Sequence, residues 1–253
     1  MTVQELYRKF DEEIPRSLSC EWDNDGLMCC PEPGRVVHRV LVALDATAAI
    51  VDQAIRGRFD VILTHHPLVF HKLPALDPCD HVARKLIQLT RAGIAVMSFH
   101  TRLDALPGGV NDVLAARLGV RDAVPFGEEG IGRIGSLAEP MSLPAFAEAV
   151  KRALDVPCVV ATDAGVPVLR VAVLGGSGSD DVRLAEAAGA DTYVSGEIAM
   201  HHLTDAPERG MNLVAAGHFH TENPVCEALA AMVRRADPSV TVTVADSNPI
   251  RVY

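Results

Sequence analysis

A chain of 253 residues has room for one large domain or two of medium size and is too long for a peptide-sized module. Hydrophobic residues make up 49% of it and charged ones 22%, a balance that builds a core and excludes intrinsic disorder. With 23 basic and 33 acidic side chains the net charge is −10, so the molecule as a whole repels phosphate backbones and anionic membranes, and direct nucleic-acid binding is not expected.

Apolar residues at 3, 6, 7 and 10 predict an amphipathic helix over Val3 to Glu13. Beyond it, short aliphatic runs alternate with stretches of helical period, the pattern of an α/β fold with a largely parallel sheet. Strands are predicted at 39–45, 60–66, 94–100, 169–175, 191–197 and 212–218, and helices at 47–57, 80–92, 110–118, 142–154, 180–188 and 222–236. Ser142 with Pro144, and Ser179 with Asp180 and Asp181, read as helix starts, because they offer acceptors where backbone N–H groups lack partners. The stretch 121–141 carries Pro125, Gly127, Gly130, Gly132 and Pro140 and is expected to divide two halves, 1–125 and 126–253, with the terminal helix free to pack on the first. No apolar run reaches the ~20 residues of a membrane span, and the first five residues lack the character of a signal peptide, so a cytoplasmic location is expected. The six cysteines contain no CxxC pair and are expected as free thiols.

The halves resemble one another. An offset of 131 residues lays Arg39-Val40 on Arg170-Val171, Asp60 on Asp191 and Thr64 on Ser195, and an offset of 118 lays His100 on His218 and Asp104 on Glu222.

Polar residues gather at the carboxyl ends of the predicted strands: Asp45, His65-His66, His100 to Asp104, Glu197 to His202, and His218 to Glu222. Open α/β sheets bind ligands at that edge. Neighbouring side chains of a strand point to opposite faces, so His65 and His66 serve one site only if the strand stops there, and Pro67 supplies the stop. Thr221-Glu222-Asn223-Pro224 reads as a helix start, with Thr221 an N-cap and Glu222 in the first turn, while His218 closes the preceding strand. Neutral imidazoles with ionised carboxylates are the donor set of Zn, Mn, Fe or Ni. His65, His66, His100, Asp104, His218 and Glu222 exceed the needs of one tetrahedral zinc, and two metals sharing bridging carboxylates would use them all.

Six segments then carry a family resemblance: Glu21-Trp22-Asp23-Asn24-Asp25-Gly26-Leu27; Leu63-Thr64-His65-His66-Pro67-Leu68; His100-Thr101-Arg102-Leu103-Asp104 with Gly108-Gly109-Val110-Asn111-Asp112; Gly130-Ile131-Gly132-Arg133-Ile134-Gly135; Gly196-Glu197; and Gly217-His218 with Thr221-Glu222. In this order they resemble the GTP cyclohydrolase 1 type 2 homologues, also described as Nif-three-like dinuclear metal-centre proteins. The resemblance implies two similar α/β halves facing each other across a dinuclear metal site, in the short form without an inserted domain, and a homohexamer built as a trimer of dimers. It implies two divalent ions per chain (Zn, Mn, Fe, Ni or Co) on His65, His66, Asp104, His218 and Glu222. The chain departs from the family at Arg102, which would favour an anionic substrate or face solvent, and at His220, an extra outer ligand or a surface residue.

The expected function is metal-dependent hydrolysis of a nucleotide or other small phosphorylated or amide substrate, with His100, Glu197 or His201 shuttling a proton. The alternative is a non-enzymatic metal-bound scaffold or regulatory interaction protein. Gly175-Gly176-Ser177-Gly178 sits where a glycine loop can cradle phosphate, but no P-loop Lys follows and Asp180-Asp181 would repel the anion, so a tight turn is expected. Cys29-Cys30 are expected to be buried or loop thiols, and Trp22 a packing anchor that could also line the site.

Overall fold

The Thr2 hydroxyl accepts the Glu5 N–H at 3.3 Å while the Glu5 carboxylate accepts the Thr2 N–H at 2.8 Å, a reciprocal cap that starts the first helix, α1 (Val3–Glu13). The helix buries Val3, Leu6 and Phe10, the stripe its sequence period marks. The structure is a computed structural model and describes residues 1–251. In chain order α1 is followed by β1 (Gly26–Cys29), β2 (Arg39–Ala43), α2 (Ala48–Gly57), β3 (Val61–Thr64), α3 (His81–Ala92), β4 (Ala95–Ser98) and α4 (Thr101–Ala105). Then come α5 (Val110–Arg117), β5 (Arg121–Phe126), β6 (Gly132–Met141), α6 (Leu143–Leu154), β7 (Val160–Thr162) and β8 (Val168–Ser177). The chain continues with α7 (Val182–Ala187), β9 (Thr192–Glu197), α8 (Met200–Asp205), β10 (Asn212–Ala215), α9 (His218–Glu222), α10 (Val225–Ala236) and β11 (Thr241–Val244).

Two units result. The first comprises Met1–Leu103 and Val225–Ile250, and most of the second is Asp104–Pro224. This partition differs from a single cut at residue 125, which falls inside β5, and it places α10 and β11 with the first unit.

The first unit holds a five-stranded sheet in the order β1-β4-β3-β2-β11, parallel except for β1 against β4. Every residue of β3 and β4 is buried, as expected of parallel strands covered on both faces. Ile50 and Val51 of α2 and Leu89 of α3 join Leu41, Ile62 and Val96 in one core. The second unit holds six strands in the order β5-β6-β8-β9-β10-β7; only β8, β9 and β10 run parallel. Successive residues of β8 alternate between two cores, Val171 and Val173 with α6, Ala172 with Val182 and Ala185 of α7.

All six predicted strands form; the first sheet is largely parallel, as expected, whereas the second is mixed. The Gly- and Pro-rich stretch 121–141 is no boundary: it is the antiparallel hairpin β5–β6. Ser142 caps α6 as expected, whereas Ser179 caps nothing. Its hydroxyl accepts the Ala199 N–H at 2.6 Å, and a 3-10 turn precedes α7. No helix of the described residues is long and apolar enough to cross a membrane.

The internal resemblance carries a physical function. Asp60 Oδ2 accepts the N–H groups of His38 and Arg39 at 2.8 and 2.9 Å, and Asp191 Oδ2 accepts those of Leu169 and Arg170 at 3.1 and 2.6 Å. In each unit one carboxylate ties down the start of the strand before it.

Candidate metal centre

In the first unit β3 ends at Thr64, whose hydroxyl donates to the His66 carbonyl at 2.8 Å, while the His66 N–H donates to Leu44 O at 3.0 Å. The chain therefore turns at the His pair, and both imidazoles come to one side. His65 is fully buried; its Nδ1–H donates to the Phe99 carbonyl at 2.9 Å. His66 Nδ1–H donates to Asp45 at 2.8 Å, and His100 Nδ1–H donates to Asp23 at 2.9 Å. One ligand atom from each of the three residues lies within 4.8 Å of the others. An acceptor on each Nδ1 sets the tautomer that leaves the Nε2 lone pair outward, as in metal-binding imidazoles.

Asp23 also accepts the Thr101 N–H and hydroxyl at 3.0 and 2.7 Å. Burial would raise its carboxyl, but the hydrogen bonds from His100 and Thr101 hold it well below the usual carboxylate range. It stays an anion that fixes the His100 ring.

In the second unit the carboxylates of Asp104 and Glu222 offer oxygens within 4.8 Å of each other. His218 does not close a strand, and Thr221 is not an N-cap. His218 and Glu222 are the first and last residues of α9, one turn apart on a helix, with His218 Nε2 3.2 Å from Glu222 Oε2. A separation of about 3 Å suits two donors each ~2 Å from one ion. Glu197, at the end of β9, holds His218 Nδ1 at 3.2 Å. The glycines at 175–178, at the end of β8, give no phosphate cradle, since Asn111, Thr221 and Ser195 side chains accept the N–H groups of Gly175, Gly176 and Gly178 at 2.8, 3.0 and 3.1 Å. Gly176, at φ +68°, makes room: a Cβ there would overlap the Glu222 carboxylate. The donor types, their fixed tautomers and this cleared space fit a divalent cation.

Sequence reasoning missed Asp23 and left Asp45 without a role, although Asp23 belongs to a quoted motif, because their work is to orient imidazoles distant in the chain. Of the three proton-transfer candidates, His100 stands among the imidazoles and Glu197 orients His218. His201 does neither: it is exposed on α8, its ring 4.0 Å from that of His202, and joins no cluster of metal-capable groups among the described residues. His220 is half-buried beside Phe219 and joins none either.

Arg102 corrects both of its readings. It neither faces solvent nor awaits an anion: it is fully buried, ion-paired to Asp25 at 3.0 Å and to Asp11 at 2.7 Å, and bonded to the Ile14 carbonyl at 2.9 Å. Trp22 is no packing anchor, being 61% exposed, and it stands edge-on to Phe70 and to His100 with centroids 6.2 Å away. Burial pushes the Cys29 and Cys30 thiols up, and neither joins a cluster of metal-capable groups among the described residues.

Comparison with known proteins places this architecture. A family model described as Duf34/NIF3 (NGG1p interacting factor 3) matches residues 1–249. A GTP cyclohydrolase 1 type 2 homolog of Clostridium perfringens is 32% identical over 248 residues, covering 95% of this chain and 94% of its own length. Staphylococcus aureus protein SA1388 shares the fold with a TM-score of 0.90 at 24% identity, covering 100% of this chain and 99% of that one. TTHA1606 from Thermus thermophilus matches with a TM-score of 0.86 at 27% identity over 100% of both chains. By this match over almost its full length the chain belongs to the Duf34/NIF3 family.

Proposed function

We propose that the chain holds two divalent metal ions on His65, His66, Asp104, His218 and Glu222 and acts as a metal-dependent hydrolase on a small nucleotide, phosphorylated or amide substrate. The observation that carries this reading is the fixing of four imidazoles at Nδ1, three by carboxylates and one by a backbone carbonyl. A structural histidine needs one partner of any kind. Three of these rings, His65, His66 and His218, are proposed ligands, and an acceptor on each Nδ1 assigns Nε2 to the metal.

Bound divalent ions supply Lewis acidity toward a carbonyl or phosphoryl oxygen and acidify water. Around them, Asp23, Asp45 and Glu197 orient rings, and Asp104 and Glu222 supply the negative charge that two cations require. His100, placed among the imidazoles, is the group assigned to proton transfer, a role typically worth ~10²–10⁴ in rate.

The test is metal analysis of protein equilibrated with Mn, Zn, Fe, Ni or Co, followed by a panel of phosphoesters, nucleotides, amides and esters. Turnover that tracks metal content supports the reading; full metal content with no turnover on any class replaces it with a metal-bound scaffold. Asp45→Ala is expected to lower metal affinity by about 10–100-fold, the usual loss when an outer partner of a ligating histidine, here His66, is removed. Isothermal titration with Zn or Mn measures it, and an unchanged affinity would make Asp45 purely structural. We further propose a hexamer, a trimer of dimers, on the strength of the family resemblance. Light scattering should report the hexamer mass, and the mass of one chain at micromolar concentration would contradict it.

A further inference from the structure

A cavity of about 540 Å³ opens beside His66 within the first unit. Asp45, His66, Lys72, Asp80, His81 and Lys85 are among its walls, and its size lies within the ~300–1,000 Å³ of small-molecule sites. Lys85, on α3, is half-buried and donates to the Ala46 carbonyl at 2.9 Å. An ammonium has three donors, so two remain. Asp45 and Asp80 are near enough to attract it, yet both are committed, Asp45 to His66 at 2.8 Å and Asp80 to the N–H groups of Val82 and Ala83 at 2.8 Å. Neither forms an ion pair with Lys85 among the described residues. Burial accordingly pushes the Lys85 amine down. A half-buried ammonium with donors to spare and no direct ion pair can take an anion from the cavity, and Lys72, exposed at the same wall, adds a second ammonium.

We propose that this cavity binds an oxyanion, phosphate or carboxylate, of the small molecule on which the metal centre acts, with Lys85 as the principal contact and Lys72 as the second. The assignment to substrate rests on the metal-centre reading, since His66 is shared by the two; the anion binding itself does not.

Calorimetric titration of the full chain, metal-free and metal-loaded, with phenyl phosphate, benzoate and phenol tests it. Binding in the roughly millimolar range is expected for one or both anions without metal and not for phenol. Phenyl phosphate alone would mark a phosphate site, benzoate alone a carboxylate site. Lys85→Met should weaken the anion by about tenfold or more, as loss of a charge-assisted hydrogen bond does, and Lys72→Met by less. In the unsubstituted protein, the bound anion should slow acetylation of Lys85, read by peptide mass spectrometry, and leave that of Lys9 unchanged. Absence of binding by either anion, binding equal to that of phenol, equal affinity in Lys85→Met, or binding only with metal present would each overturn the proposal. Metal content of the same samples reports separately on the centre: metal uptake without anion binding removes the cavity and leaves the centre, and anion binding without metal uptake does the reverse.

Discussion

Replacing Asp104 by Ala is expected to abolish turnover and to empty the metal centre. Asp104 and Glu222 bring the two carboxylates that the second unit sets within 4.8 Å of each other, and the remaining proposed ligands are neutral imidazoles. Without Asp104 a single carboxylate would have to offset two divalent cations. Coulomb repulsion at short separation in a partly desolvated site is too large for that. The loss of metal affinity should therefore exceed the ~10–100-fold expected for an outer partner such as Asp45. His201→Ala is the control, because that exposed ring joins no metal-capable cluster; metal content and rate should both match the unsubstituted protein. Metal analysis and the most active substrate of the panel measure the pair. Equal activity in Asp104→Ala would place the chemistry somewhere other than this centre.

Arg102→Met should destabilise the first unit by about 3–5 kcal/mol, the cost of leaving a buried charge without its partner. The Asp25 and Arg102 side chains are both fully buried, the guanidinium carbon lies 4.5 Å from the Phe99 ring centroid, and the Asp11 pair and the Ile14 carbonyl tie α1 to this point. Burial works against the charge on Arg102, and the Asp11 and Asp25 carboxylates more than restore it. The effect reaches the centre as well, since Asp25 accepts the His100 N–H at 3.4 Å. For a chain of this size the melting temperature should fall by roughly 10 °C. Replacing Asp25 by Leu in the same chain should recover part of the loss, because the orphaned anion is then gone. A change within ~0.5 kcal/mol, as at a surface site, would deny Arg102 its pinning role.

His65, His66, His218 and Glu222 stand out in the sequence because an imidazole or carboxylate at the end of an aliphatic run has no packing reason to be there. Arg102 does not stand out. Its partners Asp11 and Asp25 are far away in the chain, and the fold alone makes a charged side chain a buried pin. The stretch 121–141 misleads for a related reason. Its glycines read as loop, yet a Cβ at Gly135 would strike the Arg121 carbonyl and one at Gly132 the Phe126 ring, so they mark the close approach of two strands. Asp23 and Asp45 were illegible as orienting groups because period and spacing report which residues share a face, not which ring a carboxylate holds. The short helix α9 was hidden by Pro224, which resembles a first-turn proline of the next helix but in fact separates the two helices.

Anomalous diffraction from a crystal soaked in Mn or Zn tests the central claim most directly. Two peaks are expected, each ~2 Å from donors among His65, His66, Asp104, His218 and Glu222, the residues that would hold the ions. Peaks bound by other residues, or any three of these five lying more than ~10 Å from the rest, would contradict it.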